Sequence, residues 1–569
     1  MSHEQVIDRP ASRRAEIIEV WRRAAPYVLF AIAVTTLSSV VNVRYPGRAA
    51  PWAFLLPSLD VVGLLACYAA VGRFGWRVPT LLHGALVGFL LFVRVFRIAD
   101  GIETRYLYRS FNLWSDAQLI PEFARLLYST LPIAKFLLAA TAATGVLVGV
   151  GVATSYALRY CERFLRTPRH AAFFAGGVGV FLVISPLTRP GKYPQHHLGA
   201  FASSVLPRLG EEADFILQVH GYRSERLAEI ARVQRELSAL PTNLDKLRGH
   251  DVLLFVIESY GATVFEREFF STRLGQVYDA FDASLERNGF AVASNLFDSP
   301  TYGGGSWLAH ATLATGVRVS NQFQYSLLKS ASPQTMAGFF KAAGFRTVLV
   351  QPATTHNLPT EDFHRFEQCY YAVAFDYTGP SFAYAPMPDQ YVIDFIHRQE
   401  RAHGGPPRFI EYALVSSHLP WTEHAPIVED WTKIKNGAIY RTLEKVTFPG
   451  SWDDFSQGSP GYAHALGYDL EVLRRYVIER VTDDALVIIV GDHQPAAQVT
   501  LDSPDQGVPI HVMSRNRAFV EMFVARGYTR GMRPALNGRR LGLEAFLPAF
   551  LQDFSEPSVR SGPGRAREP

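Results

Sequence analysis

The chain has 569 residues, 48% of them hydrophobic and 19% charged, and a mean hydropathy of +0.05, high for a soluble protein of this size. Much of the basic excess behind its net charge of +4 lies among N-terminal apolar segments, a membrane-topology pattern that argues against nucleic-acid binding. Three scattered cysteines (Cys67, Cys161, Cys369), without CxxC or Cys/His zinc spacing, exclude a disulfide framework and leave any metal to carboxylates and histidines.

A basic tail over 1–24 (Arg9, Arg13, Arg14, Arg22, Arg23) precedes five apolar runs: Ala25–Val43, Trp52–Val71, Pro79–Phe96, Pro132–Leu158 and Ala172–Leu187. Each is near the roughly 20 residues that cross a bilayer, though the last is short and Gly-rich. A buried core helix would explain any one of them. Five together predict a transmembrane domain of about five helices over 25–187. The tail, the Arg73/Arg77 loop and the Arg159/Arg163/Arg166/Arg169 loop then face the cytoplasm, and everything after Thr188 is delivered outside. The loop Asp100–Leu131 carries TRYLYRSFNLW, suited to the outer interface. Residues 188–245 read as a connector with interfacial helices, and 556–569 as a disordered tail.

From Asp251 the pattern changes. Short apolar runs (DVLLFVIES, AVASNLF, RTVLVQP, FIEYALVSS, ALVIIVGD) alternate with helical stretches such as PQTMAGFFKAAG and HALGYDLEVLRRYVIERV. Continuous apolar strands between helices predict an α/β domain over 246–555 with a mainly parallel central sheet, whose ligands bind beyond the strands' carboxyl ends.

Polar residues stand at those ends. Glu258 closes the first run, and Asp492 with His493 closes a late one. Between them GGGSWLAHATLATG places Ser306 where a glycine-rich turn opens a helix, an arrangement that aims free N–H groups at an anion. Taken alone, Ser306 is equally well read as a helix cap, Glu258 as a cap of the next helix, and GDHQP as a turn. Jointly, a carboxylate, a hydroxyl and an Asp-His pair offer hard oxygen and imidazole ligands for zinc, manganese or magnesium.

In that order VIESYG, GGGSWLAHATLATG and GDHQP resemble the sulfatase-like branch of the alkaline phosphatase superfamily, and within it the lipoteichoic acid synthases and related phosphoglycerol and phosphoethanolamine transferases. The likeness extends over nearly the whole chain, membrane part included. It implies an alkaline phosphatase/sulfatase-like fold and one divalent ion, manganese ahead of zinc or magnesium, held by Glu258, Ser306, Asp492 and His493. SSHLPW resembles the family's strand-end histidine motif and gives His418 a catalytic role. EDFHRF implies Arg365 on a substrate phosphate with Phe363 beside it, and APMPDQY implies Asp389 near the site.

Two departures bear on the subfamily. Serine stands where the family usually has threonine, and the cysteine count favours the glycerophosphate-type branch over disulfide-rich phosphoethanolamine transferases. Ser306–His310 lacks the Pro and Arg of the C/S-x-P-x-R motif that true sulfatases need. The resemblance implies a bacterial plasma-membrane enzyme, its catalytic domain facing out, that moves a phosphate-linked head group from phospholipid to an envelope glycan or lipid through a covalent Ser306 intermediate. A membrane-anchored phosphodiesterase or sulfatase-type hydrolase is the alternative. His310, His356, His424, His464 and His511 read as structural or peripheral, although His310 falls one turn after Ser306.

Overall fold

The computed structural model describes residues 10–42, 57–106, 109–121, 128, 133–184, 204–354, 361–402, 404–449, 458–481, 484–501, 503–538 and 540–556. Residues 1–9 of the basic tail, the start of the second apolar run, residues 188–203 of the connector and residues 557–569 of the C-terminal tail lie outside them. The chain divides after Val219 into two compact units.

The N-terminal unit contains α1 (Pro10–Asn42), α2 (Leu59–Arg73), α3 (Thr80–Tyr106), α4 (Ile133–Leu165), α5 (Pro168–Ile184) and the start of α6 (Leu206–Ser238). Among the described residues three segments are long and apolar enough to cross a membrane: Ile18–Asn42, Thr80–Thr104 and Ile133–Leu165. Three of the five expected spans thus meet the requirement among the described residues, and the count of five is not confirmed. Helix α2 has 15 residues and opens at Ser58, whose side chain accepts from Val61 N; α5 has 17 and opens at Pro168. Leu37, Leu65, Leu158 and Cys161 are wholly buried between the helices, and the rings of Phe30 and Phe164 stack at 4.2 Å.

The C-terminal unit comprises β1 (Val252–Ile257), α7 (Glu268–Arg287), β2 (Ala291–Asp298), α8 (Ser306–Thr315), α9 (Gln322–Ala331), α10 (Met336–Ala342), β3 (Arg346–Gln351), β4 (Gln368–Tyr371), α11 (Asp389–Ile396), β5 (Arg408–Leu414), β6 (Glu423–His424), β7 (Val446–Thr447), α12 (Gly458–Arg480), β8 (Leu486–Gly491), β9 (Gly507–Ser514), α13 (Arg517–Ala525), β10 (Thr529–Arg530), β11 (Leu541–Gly542) and α14 (Phe546–Phe554). The large sheet runs β10-β2-β9-β8-β1-β5-β3-β4, with β11 also on β2. Its block β8-β1-β5-β3-β4 is parallel, whereas β9 is antiparallel to both β8 and β2. The sheet is thus mixed, mostly parallel. Strand β9 escaped sequence reading because GVPIHVMS carries Pro509 and His511, residues that dilute a strand signal, yet it is buried along its whole length.

Side chains alternate across the central strands, giving each face its own core. Leu253, Phe255 and Ile257 of β1 pack under α7, α11 and α12; Val252, Leu254 and Val256 pack under α8, α10, α13 and α14. Phe340 of α10 stacks on Phe409 of β5 at 4.2 Å. Register then fixes the site. Ile257 lies opposite both Leu414 and Gly491, so β1, β5 and β8 end at one level and hand their next residues to one place.

Candidate active site

At that level Glu258, Asp492 and His493 bring ligand atoms within 4.8 Å of one another. The exits of β1 and β8 touch through their backbones: a Cβ on Gly491 would overlap the carbonyl oxygen of Tyr260. Ser259 takes a left-handed φ of 60°, and its N–H donates to Asp492 Oδ1 at 2.8 Å. The N–H of His493 donates to the same oxygen at 2.6 Å, while Ser259 Oγ donates to Glu258 Oε1 at 3.1 Å. A strained backbone is thus held by the carboxylates that it aims.

Ser306 is delivered from the opposite side by the turn before α8. Gly303, Gly304 and Gly305 all have positive φ (66°, 152°, 80°), conformations that side-chain-bearing residues rarely adopt. The turn is pinned by Gly303 N to Gln494 O (3.0 Å) and by Thr301 Oγ1 to Gly304 O. Ser306 Oγ then donates to Glu258 Oε2 at 2.8 Å and lies 3.3 Å from His493 Nε2.

Two buried carboxylates this close demand a positive partner. Burial, followed by the charge of Glu258, pushes Asp492 up to about 7. Burial also penalises charged His493, but Asp492 and Glu258 outweigh it and raise the imidazole to about 9. Glu258 is likewise opposed by burial, yet His493, His418 and its hydrogen bonds hold it well below the usual carboxylate range. The donor set suits a divalent cation. Asp492 Oδ2 is buried and accepts no hydrogen bond, and His493 Nδ1 is engaged by Gln494 O at 2.8 Å, which leaves Nε2 as the ligand nitrogen.

A cavity of about 340 Å³ opens on Ser306, Glu258 and Asp492. The expected catalytic histidine, His418, lines it. Its Nδ1 is 2.7 Å from Leu419 O, its ring stacks on Tyr384 at 3.6 Å, and burial lowers its pKa. Phe363 and Arg365 are not among the lining residues. Phe363 packs with Tyr325 in a small core, and Arg365 donates to Gln334 Oε1 and Ser332 O. It is the histidine between them, His364, that lines the cavity.

Asp389, expected near the site, is not a lining residue either. It is wholly buried at the first turn of α11, where it accepts the N–H groups of Val415 and Ser416 (2.7 Å for Ser416) and so anchors the loop that carries His418. Ser417 Oγ ties that loop to Glu258 O at 2.7 Å. His310 and Glu411 were missed. His310 Nδ1 meets Glu411 Oε1 at 2.9 Å and the ring lines the cavity. The available signals were the four-residue step from Ser306 and a single acid inside the apolar strand RFIEYAL.

Residues 302–511 match a family model described as Sulfatase, so this segment is sulfatase-like, as the motifs resemble. No curated protein matches the chain by sequence. Solved structures with similar folds include the C-terminal periplasmic domain of EcEptC from Escherichia coli (14% identity, TM-score 0.34, 53% of this chain and 80% of the other). Others are the lipoteichoic acid synthase LtaP from Listeria monocytogenes (13%, 0.32, 50% and 71%) and the phosphoglycerol transferase GacH from Streptococcus pyogenes in complex with sn-glycerol-1-phosphate (13%, 0.35, 57% and 92%).

Proposed function

We propose that this chain is a metal-dependent, membrane-anchored transferase that moves a phosphate-linked head group, phosphoglycerol or a close relative, from a phospholipid to an envelope glycan or lipid. The observation that carries this reading is the convergence of Ser306, at the first turn of α8, on Glu258, Asp492 and His493 beside a cavity. Three apolar helices supply the anchor, and the arginine asymmetry favours an outward-facing catalytic unit in a bacterial plasma membrane.

Glu258, Asp492, His493 and Ser306 would hold one divalent ion, which when bound lowers the pKa of the serine hydroxyl. Ser306 Oγ, already deprotonated and regenerated in that form at the end of the cycle, forms a bond to phosphorus as the bond to the diacylglycerol oxygen breaks. His418, whose Nδ1 is taken by Leu419 O, supplies from Nε2 the proton that the leaving oxygen takes. In the second half-reaction the acceptor hydroxyl returns a proton to His418 and bonds to phosphorus, and Ser306 is released. Water as acceptor turns the same chemistry into hydrolysis.

The test uses the full chain in detergent with Mn²⁺ and a phosphatidylglycerol carrying radiolabel in the head group. Released diacylglycerol and a head-group adduct mapped by mass spectrometry to Ser306 are expected, with label passing to an added glycolipid acceptor. Ser306→Ala should lose activity by as much as a millionfold. An adduct on Thr301 or Thr312, or activity surviving in Ser306→Ala, would overturn the reading. Label found only in water-soluble glycerol phosphate, with acceptor present, would make the protein a hydrolase.

A further inference from the structure

Three imidazoles, His310, His364 and His418, line the cavity beside Ser306, and no lysine or arginine does so among the described residues. A phosphodiester brings a negative charge, and attack by Ser306 spreads more of it over the non-bridging oxygens. Some cationic or strongly donating group besides the metal cluster has to meet it.

The three rings are not equivalent. His364 is buried without a carboxylate partner, and burial lowers it to about 4. His418 is lowered in the same sense and hydrogen-bonds a carbonyl. His310 alone has a carboxylate at hydrogen-bonding distance, Glu411 at 2.9 Å, and this contact outweighs burial and raises its pKa. Glu411 itself is buried in the middle of β5, opposite Leu254 and Leu349, where an unpaired carboxylate would be strongly disfavoured. Strand alternation puts it on the same face as Ala413, which lines the cavity.

Helix geometry completes the placement. Residues four apart share a face, and side chains lean toward the helix N-terminus, so His310 lies against the turn that presents Ser306. Its Nδ1 is taken by Glu411, which leaves Nε2 for the cavity.

We propose that His310 is a catalytic residue, an imidazolium held by Glu411 whose Nε2–H binds a non-bridging oxygen of the phosphodiester that Ser306 attacks. No proton changes hands in this contact; it stabilises the charge that builds on that oxygen. The assignment rests on the phosphoryl-transfer reading above, and the following experiment separates the two.

Full-length protein in detergent, loaded with Mn²⁺, is assayed with bis(p-nitrophenyl) phosphate, and its affinity for inorganic phosphate is measured by calorimetry. His310→Ala removes the donor but leaves Glu411 buried without a partner. The double variant H310Q/E411Q removes both charges and keeps an amide pair in their place. For both variants we expect kcat to fall by about 10²–10³, the scale of losing one donor to a transition-state oxygen. Phosphate affinity should fall at least tenfold, with manganese content equal to wild type. Imidazole added to His310→Ala should recover part of the lost rate, a response that a packing role would not give.

If H310Q/E411Q folds, binds manganese and keeps both kcat and phosphate affinity within threefold of wild type, the assignment is wrong. If the wild type binds phosphate but cleaves no diester, the transferase reading fails, while the phosphate affinities of the variants still decide the role of His310.

Discussion

Two pairs of buried carboxyl groups stand behind the same cavity, and they meet their mutual repulsion differently. Glu258 and Asp492 sit at strand exits with His493 between them, and Asp492 Oδ2 accepts no hydrogen bond. Asp389 and Asp469 lie deeper, on α11 and α12. Asp389 accepts two backbone N–H groups, whereas both oxygens of Asp469 are buried and accept none. Burial and the neighbouring Asp389 push Asp469 well above the ordinary carboxylate range. The first pair has the imidazole of His493 against its oxygens, whereas the second has burial that disfavours the charged form. Buried acids alone do not make a candidate metal site; here an imidazole nitrogen and a hydroxyl face the same oxygens in the first pair only.

That contrast can be broken most severely at Asp492. Asp492→Asn should reduce metal content to background and abolish turnover. Partners outside the ligand shell already cost about 10–100-fold when lost, and a ligand should cost more. Metal analysis of the purified full chain checks this, and a full complement of manganese would remove Asp492 from the ligand set.

Asp389→Ala should keep the metal but lower stability by about 3 kcal/mol, because the N–H groups of Val415 and Ser416 lose their acceptor inside the protein. Turnover should fall as the His418 loop loosens. Thermal unfolding read alongside manganese content separates the two pairs: Asp389→Ala unfolds early and metal-loaded, whereas Asp492→Asn is inactive and metal-free.

The smallest effect belongs to Asp469→Asn, which copies the neutral acid. A carboxyl whose folded pKa is raised contributes stability below its unfolded pKa, near 4, and loses it as pH rises through the folded value. Wild type should therefore lose stability between mildly acidic and alkaline pH, where Asp469→Asn stays flatter. The variant should equal wild type near pH 4 and exceed it at pH 8–9. Unfolding curves across that range test the sign, and a less stable variant at pH 9 would mean that Asp469 is ionised in the fold.

The sequence by itself determined most of the elements and the cluster of Glu258, Asp492 and His493. Apolar runs of bilayer length, strands of continuous Val, Ile and Leu, and a glycine turn ending at Ser306 are local signals, and local backbone and burial preferences produced them. Glu258, Asp492 and His493 were legible because each directly follows a strand, and parallel strands in register end together.

Only the tertiary structure decided the rest. Asp389 came out as an anchor because the N–H donors it accepts from lie on a loop 26 residues away. His364 reaches the cavity in place of Phe363 and Arg365 because backbone direction within EDFHRF is set by what that segment packs on. The His310–Glu411 pair joins residues 101 apart across a helix–strand interface, a contact that no window of sequence contains. Strand β9 is antiparallel for a similar reason: the direction in which a strand pairs depends on the path of the chain between strands, which its own residues do not encode.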